Sequence, residues 1–512
     1  MLWTIAKKEL LEDLRSFRFT SCFLLCVVLF TVSSIVGARD YRNRLRYVKA
    51  EEDRQQEAIS RIRVYSHIKP VAFRRPSPLS VFSQGYERSL DPGVRISHRR
   101  IPYLAQKKRV DNPYLEIIPP IDLSTVVKII LSLLAILLSF DAISGEKEAG
   151  TLRLLLSNAL PRPILLFGKY TGSMIVLTGS LLIGFLLGTA VLVLISPVGL
   201  GGEHWLGLLF LIITSGLYLS LFLLLGLLVS AVTRKAATSL IMLLSIWLFL
   251  VIIAPNLGAF IASEAVDTPS ELEREIEVVE LERQVDESME EFAKQHGASE
   301  PKGELTVYGD DGEVLVRLGR PERYEWLNDY YRYRVQRWMD TANLTWERNR
   351  EFLQALKKQT RLADALSIIS PAFLYEKTCQ ILSGTDLESY ENFILQAREY
   401  RAQLIDYIRA RGGYGSRRWF TDDPPGQEPF VLDPETFDRS KMDMERGWRM
   451  IREAEADRSR ILNLDDMPRF RFIARPIAEA VGEATSGIAL LIGMNLILFV
   501  FYSLVFMRYD AR

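Results

Sequence analysis

The apolar residues of this chain are gathered into six runs, at 19–36, 124–143, 173–195, 206–232, 236–260 and 487–506. About 20 apolar residues are needed to cross the hydrocarbon layer as a helix, and these runs are near or above that length. Lipid cannot satisfy a free peptide group, so each run is expected to be helical throughout. The pattern predicts a mainly α fold: a six-helix polytopic membrane domain plus a large α-rich (α+β) extracytoplasmic domain. The first run could also be a signal peptide, since Val36-Gly37-Ala38 faintly resembles a cleavage site. The segment before it is long, amphipathic, and acidic as well as basic, which favours a retained span.

Between the runs the period changes. Trp3, Ala6, Leu10, Leu14 and Phe17 recur at three- and four-residue spacing, with Lys7, Lys8, Glu9, Glu12 and Asp13 elsewhere. Residues 1–18 therefore predict an amphipathic helix, suited to a membrane interface or to docking on other protein. Helical patterns also run over 41–67, 269–296, 322–365 and 386–411. Residues 307–314 alternate around an Asp-Gly turn, as a β-hairpin does. Tyr324, Leu327, Tyr331, Trp338, Phe352 and Leu356 share one helical face, read as core, and the Glu-rich run 271–291 reads as a solvated face.

Charge orients the chain. The 63 basic and 63 acidic residues cancel, which argues against a nucleic-acid partner. Lys7, Lys8, Arg15 and Arg18 precede run one; Lys147, Arg153, Arg162 and Lys169 follow run two; Arg234 and Lys235 follow run four; and Arg508 and Arg512 end the chain. The short loop 196–204 has no Lys or Arg. The positive-inside rule thus expects both termini in the cytoplasm of a multi-pass protein of the cell (inner) membrane. The layout is 1–18 interfacial helix, 19–37 span, 38–123 extracytoplasmic, 124–260 four spans, 261–486 extracytoplasmic, 487–507 span and 508–512 cytoplasmic tail.

Several chemistries lack their residues. Runs three and four carry no Asp, Glu, Lys or Arg between Ser173 and Val232 except Glu203 in the intervening loop, which argues against ion-coupled transport. Lys128 sits where its ammonium could snorkel outward, and Asp141 where it could cap a polar turn. There is no phosphate loop, no His-Glu-x-x-His and no Gly-x-Ser-x-Gly, so no catalytic, metal or cofactor site is expected here. Cys22 and Cys26 lie one helical turn apart inside run one, and Cys379 is alone. Ser180, Gly184 and Gly188, then Gly216 and Ser220, are small residues at helix-packing spacing, fit for a seam between copies or for packing within one.

The remaining feature is the polar stretch 145–163 between runs two and three. It reads Gly145-Glu-Lys-Glu-Ala-Gly-Thr-Leu152 and ends in Pro161-Arg162-Pro163. Gly150 provides a bend, Thr151 a cap for a short helix to Asn158 with Leu152, Leu155 and Leu156 on one side, and the prolines a stop. With Glu146 and Glu148, Gly150-Thr151-Leu152, Leu154 to Ser157, Pro161-Arg162 and Gly168-Lys169, the stretch resembles the signature of permease subunits of type-2 ABC exporters. Asn158-Ala159-Leu160 departs from its commonest form. The turn from Gly226 to Lys235 resembles the family's second cytoplasmic loop. Pro76–Gly85 and Ser370–Tyr375, the latter followed by Leu382–Asp386, resemble a subgroup with a large extracytoplasmic insert.

The resemblance implies a non-catalytic permease powered by a separate ATPase subunit, which would hold ATP and Mg. Glu146, Lys147, Glu148, Gly150, Thr151, Leu152, Leu155 and Arg162 would form the ATPase-coupling helix, with Thr233, Arg234 and Lys235 in the second loop. A second copy or a related permease, an extracytoplasmic protein and the lipid bilayer are the other implied partners. The chain would export a substrate or act on one at the outer face. The competing reading is an ATP-coupled mechanical or scaffolding anchor without transport.

Overall fold

A computed structural model of the chain describes residues 2–104, 121–152, 161–196, 200–268, 270–296, 304–309, 312–317, 322–422, 452–453 and 456–508. It is mainly helical, and six of its helices are long and apolar enough to cross a membrane.

Helix α1 (Leu2–Arg15) turns at Ser16 into α2 (Phe17–Ile59). The Ser16 Oγ accepts the Phe19 N–H at 3.1 Å, so the turn is a serine N-cap. The first apolar run and the polar pattern after it thus form one 43-residue rod, not two helices, and residues 65–67 are a separate 3₁₀ turn. No glycine or proline signal interrupts the period between residues 38 and 59, and the rod carries its register out of the apolar layer.

Helix α3 (Leu123–Val126, a π turn at Val127–Leu131, then Ser132–Ser139) leads to the five-residue α4 (Ser144–Glu148). Helices α5 (Arg162–Ile195) and α6 (Gly202–Val232) follow, then α7, made of Ala236–Leu248, a π turn at Phe249–Ile253, and Ala254–Ala265. Helix α12 (Ile477–Met507) closes the set and packs against α6, where the Asn495 side-chain N–H bonds the Leu217 carbonyl at 3.0 Å.

Beyond the far ends of the spans lies a second body. It contains a short antiparallel pair, β1 (Val71–Phe73) and β2 (Gly93–Arg95), with Val71 opposite Arg95. It also contains α8 (Glu271–Gln295), the hairpin β3 (Glu304–Gly309) and β4 (Gly312–Arg317), α9 (Glu322–Ser367) and α11 (Leu387–Ala410). The hairpin pairs Val307 with Val314, as the alternation predicts, while its Asp310 and Asp311 lie outside the described residues. Phe393, Tyr400, Leu404 and Trp419 anchor the core of this body. Of the aromatic stripe on α9, Trp338 is buried in a small core with Val285 and Met289, and Tyr331 stacks on Phe420 at 4.8 Å. The Glu-rich helix α8 is therefore not solvated all round.

Helix α10 (Pro371–Ser383) is the joint between the two bodies. Its Tyr375 and Cys379 are fully buried in the same core as the spans, although the segment falls in the sequence expected to lie outside them. The π turn of α7 frees the Leu250 carbonyl, and Ser370 Oγ donates to it at 2.6 Å. Tyr375 stacks on Tyr218 of α6 with centroids 4.5 Å apart. Lys128, expected to snorkel, instead bonds Glu376 of α10 at 2.6 Å. A carboxylate within reach holds the ammonium more strongly than the interface would.

Candidate functional site

The polar stretch between α3 and α5 is built into the near ends of the spans. Helix α4 begins where Ser230 Oγ of α6 accepts the N–H groups of Ile143 and Ser144, at 3.0 and 2.9 Å. One serine thereby satisfies two donors that an isolated first turn would leave open. Asp141 contributes its carbonyl, which accepts the Gly145 N–H at 2.8 Å.

Each charged residue of α4 then reaches a different helix. Lys147 Nζ donates to the carbonyls of Ala231 and Thr233, closing the open C-terminal end of α6. Glu148 accepts the N–H of Ala236, the first residue of α7, at 3.1 Å. Glu146 bonds Lys169 of α5 at 2.8 Å, and Lys169 bonds Glu9 of α1 at 2.9 Å. The Lys169 side chain is only 3 % exposed, so this ammonium is held between two carboxylates away from water. Arg162, at the start of α5, donates to the Met507 carbonyl at the end of α12 at 2.7 Å. The stretch thus ties together the near ends of α1, α5, α6, α7 and α12.

Beyond α4 the chain turns outward at Gly150, whose φ of +71° is left-handed and whose missing Cβ would meet nothing. The Thr151 hydroxyl donates back to the Glu146 carbonyl at 3.3 Å, and the rest of the short helix it is expected to cap lies outside the described residues. Leu152 is buried against the spans. Leu155 and the rest of 153–160 lie outside the described residues. Pro161 and Pro163 open α5, where a missing N–H costs nothing. The exposed tip consists of Glu148, Ala149, Gly150 and Thr151, with Arg234 and Lys235 exposed on the second loop and Thr233 buried.

The sequence reading missed how α1 contributes. It placed Glu9 and Asp13 on a polar, outward face. In the structure Trp3, Leu14 and Phe17 are exposed, whereas Ala6, Glu9 and Asp13 turn toward α5. A Cβ on Gly168 would meet Ile5 at 2.6 Å, and one on Gly172 would meet Glu9 at 2.8 Å and the Ala6 carbonyl at 3.0 Å. These two glycines, one turn apart, form the groove in which α1 lies. Ser173 donates to Asp13 at 2.9 Å. Burial raises the Asp13 carboxyl to about 7, opposed by the Ser173 bond, reinforced by Glu9 and Asp141, and opposed again by Lys169. The signal available in the sequence was Gly168-Lys169-x-x-Gly172-Ser173.

The α5 part of the small-residue seam, Gly184 and Gly188, is filled from within the chain. A Cβ on Gly184 would strike the Phe30 ring of α2 at 2.6 Å, and one on Gly188 would meet Phe82 at 2.9 Å. Ser180 is buried and back-bonds the Val176 carbonyl. Ser220 bonds the Tyr170 hydroxyl at 2.8 Å, while a Cβ on Gly216 would meet nothing within 4 Å.

The sequence profile described as "ABC-2 family transporter protein" matches residues 3–511. The chain is 40 % identical over 84 residues to the "Probable ABC transporter permease protein NosY" of Stutzerimonas stutzeri, covering 16 % of this chain and 30 % of that one. It is 43 % identical over 76 residues to the protein of the same description in Pseudomonas aeruginosa, covering 15 % of this chain and 27 % of that one. The chain thus matches less than a third of the length of these curated relatives.

Proposed function

The chain belongs to the ABC-2 transporter family, and from that premise we propose that it is a membrane-spanning permease subunit driven by a separate ATPase. The observation that carries this is the hairpin's connectivity: its three consecutive charges, Glu146, Lys147 and Glu148, each bond a different span end. A displacement applied to the exposed tip reaches α1, α5, α6 and α7 through hydrogen bonds and ion pairs, without a flexible intermediary. Membership of the ABC-2 transporter family, together with the likeness to proteins described as ABC transporter permeases, supports an ATPase as the source of that displacement. ATP and Mg belong on that partner.

The tip and the second loop lie on the cytoplasmic side in this reading, with the second body extracytoplasmic, and two permeases pair with two ATPases. Thr151, Arg234 and Lys235 face the ATPase. Glu146, Lys147 and Leu152 transmit its movement inside the chain.

Co-purification with a candidate ABC ATPase subunit, and ATPase stimulation in lipid, test the assignment. Thr151→Arg combined with Arg234→Glu and Lys235→Glu is expected to cut association and stimulation at least tenfold, with the permease's own melting midpoint unchanged. Wild-type assembly and turnover in that variant would refute the coupling role.

A further inference from the structure

The second body carries a cationic cluster that the coupling reading does not use. Its members are brought together by secondary structure. The Ile96 N–H bonds the Pro70 carbonyl at 2.7 Å, which continues the β1–β2 ladder and sets Lys69 beside the His98-Arg99 stretch that follows Arg95. Arg401 of α11 clamps that stretch, donating at 2.8 Å to both the Ser97 and His98 carbonyls. The Arg99 guanidinium lies 4.9 Å from the ring centroid of Trp338 on α9, and Arg334 is one turn before Trp338 on the same face.

The cluster is rich in donors and poor in acceptors. The buried Nε of Arg334, the buried Nε1 of Trp338 and the buried Tyr414 hydroxyl find no hydrogen-bond partner among the described residues. Tyr414 stands 6.2 Å from the His98 ring, centroid to centroid. Buried donors are nearly always satisfied, so three in one place point to an acceptor that the described residues do not supply. Glu282 of α8 is bonded to Arg100 at 2.6 Å, and Asp286 acts on Arg99 from the same helix. These two carboxylates do not balance Lys69, Arg95, Arg99, Arg100, Arg334 and Arg401. The imbalance is felt locally: burial, then Arg99, Lys69, Arg401 and Arg334, hold His98 down to about 3, so it is neutral.

We propose that this cluster binds a carboxylate- or phosphate-bearing anion. Arg334 and Arg99 act as the forked donors, and Lys69 and Arg95 supply the surrounding field. A lipid headgroup is too far away. Ser367, at the other end of α9, bonds the Pro255 carbonyl of α7, and Arg334 lies 367 − 334 = 33 residues along that helix, roughly 50 Å. The ligand is therefore a free small anion or an acidic segment of another protein.

The test uses the full-length protein in nanodiscs of uncharged phosphatidylcholine, titrated calorimetrically with citrate, inorganic phosphate and hexaglutamate. At least one is expected to bind saturably and to weaken as salt is raised. Arg334→Gln and Arg99→Gln should each weaken that binding at least tenfold, while Arg361→Gln, exposed and far down α9, leaves it unchanged. Arg99 is exposed, so its variant folds even if the Arg334 variant does not. Preference for citrate or phosphate identifies a small anion, and preference for hexaglutamate an acidic polypeptide. Absence of saturable binding by all three, or equal affinity in wild type and the Arg99 variant, would overturn the site.

Discussion

At the scale of single residues, the near end of the spans is governed by one buried cation. Lys169 and its two carboxylates carry a net charge of −1, and Asp13 lies beside them, bonded to Ser173. Adding a second negative charge to this dry corner is costly, which is why burial and Glu9 keep the Asp13 proton on up to about 7. Its ordinary value, 3.8, applies to the unfolded chain. Between these two values the folded protein binds a proton that the unfolded one does not. Stability from this group is therefore full below about pH 4, declines as pH rises toward 7, and is flat above it. Melting midpoints measured in detergent from pH 4.5 to 8 should fall with rising pH, and Asp13→Asn should remove most of that slope. An unchanged slope in the variant would assign the dependence to other groups. None of this was legible in the pattern, because binary patterning treats every Glu and Asp as outward-facing. Glu9 and Asp13 turn inward because Lys169 and Ser173, each 160 residues later in the chain than its partner, are there to meet them.

Elements behave more predictably, because periodicity and punctuation act locally. The six apolar runs were legible as helices, and the β3–β4 pairing followed from alternation around Asp310-Asp311-Gly312. What was not legible was continuity and burial. Helix α2 runs unbroken from the apolar layer into the second body. Helix α10 looks like a short amphipathic surface helix until Tyr218, Ser215 and Leu250 are seen to receive it. Glycine spacing was read for Ser180, Gly184 and Gly188, where the neighbours met are side chains, yet at Gly172 the Ala6 carbonyl, a backbone atom, stands 3.0 Å from a would-be Cβ. Backbone cannot swing aside as a side chain can. Gly172→Val should displace α1 at a cost of about 1–3 kcal/mol, the usual range for overpacking. A disulfide between cysteines placed at Asp13 and Ser173, whose short side chains meet at 2.9 Å across the same two helices, would report it. Cross-linking should be rapid while Gly172 is kept and lost in the Gly172→Val variant, whereas equal cross-linking would show that α1 is not seated by this groove.

Across the whole molecule, the question is how the end carrying the hairpin communicates with the body about a membrane's thickness away. Two connections cross the boundary without a loop. One is α2 itself, whose outer half is locked by Glu87: this carboxylate is buried between Arg44 of α2 and Arg74, bonding Arg74 at 3.0 Å, and it also accepts the Ser77 N–H at 2.9 Å. Arg74 goes on to stack on Tyr390 of α11, 4.1 Å from its centroid. The other is α10, held to α3 by Lys128–Glu376 and to α6 by the tyrosine stack. A tilt of the spans therefore moves the second body as a unit only while both joints are intact. Glu87→Gln keeps the shape but leaves the buried Arg74 without a carboxylate and Arg44 with Asp40 alone, and breaking a buried pair from one side costs about 3–5 kcal/mol. That loss falls on the α2 joint and not on the packing of the spans. Limited proteolysis should cut the Glu87→Gln protein at the segment 74–92 several times faster than wild type, while its helical circular dichroism and detergent-extracted mass stay the same. In nanodiscs with the partner ATPase, the variant should retain nucleotide hydrolysis but lose its response to ligands of the second body, because α10 alone cannot hold that body to α2. If proteolysis and response both match wild type, the Arg44–Glu87–Arg74 joint carries no strain between the two ends, and the link runs through α10 and the α7–α9 contact at Ser367 instead.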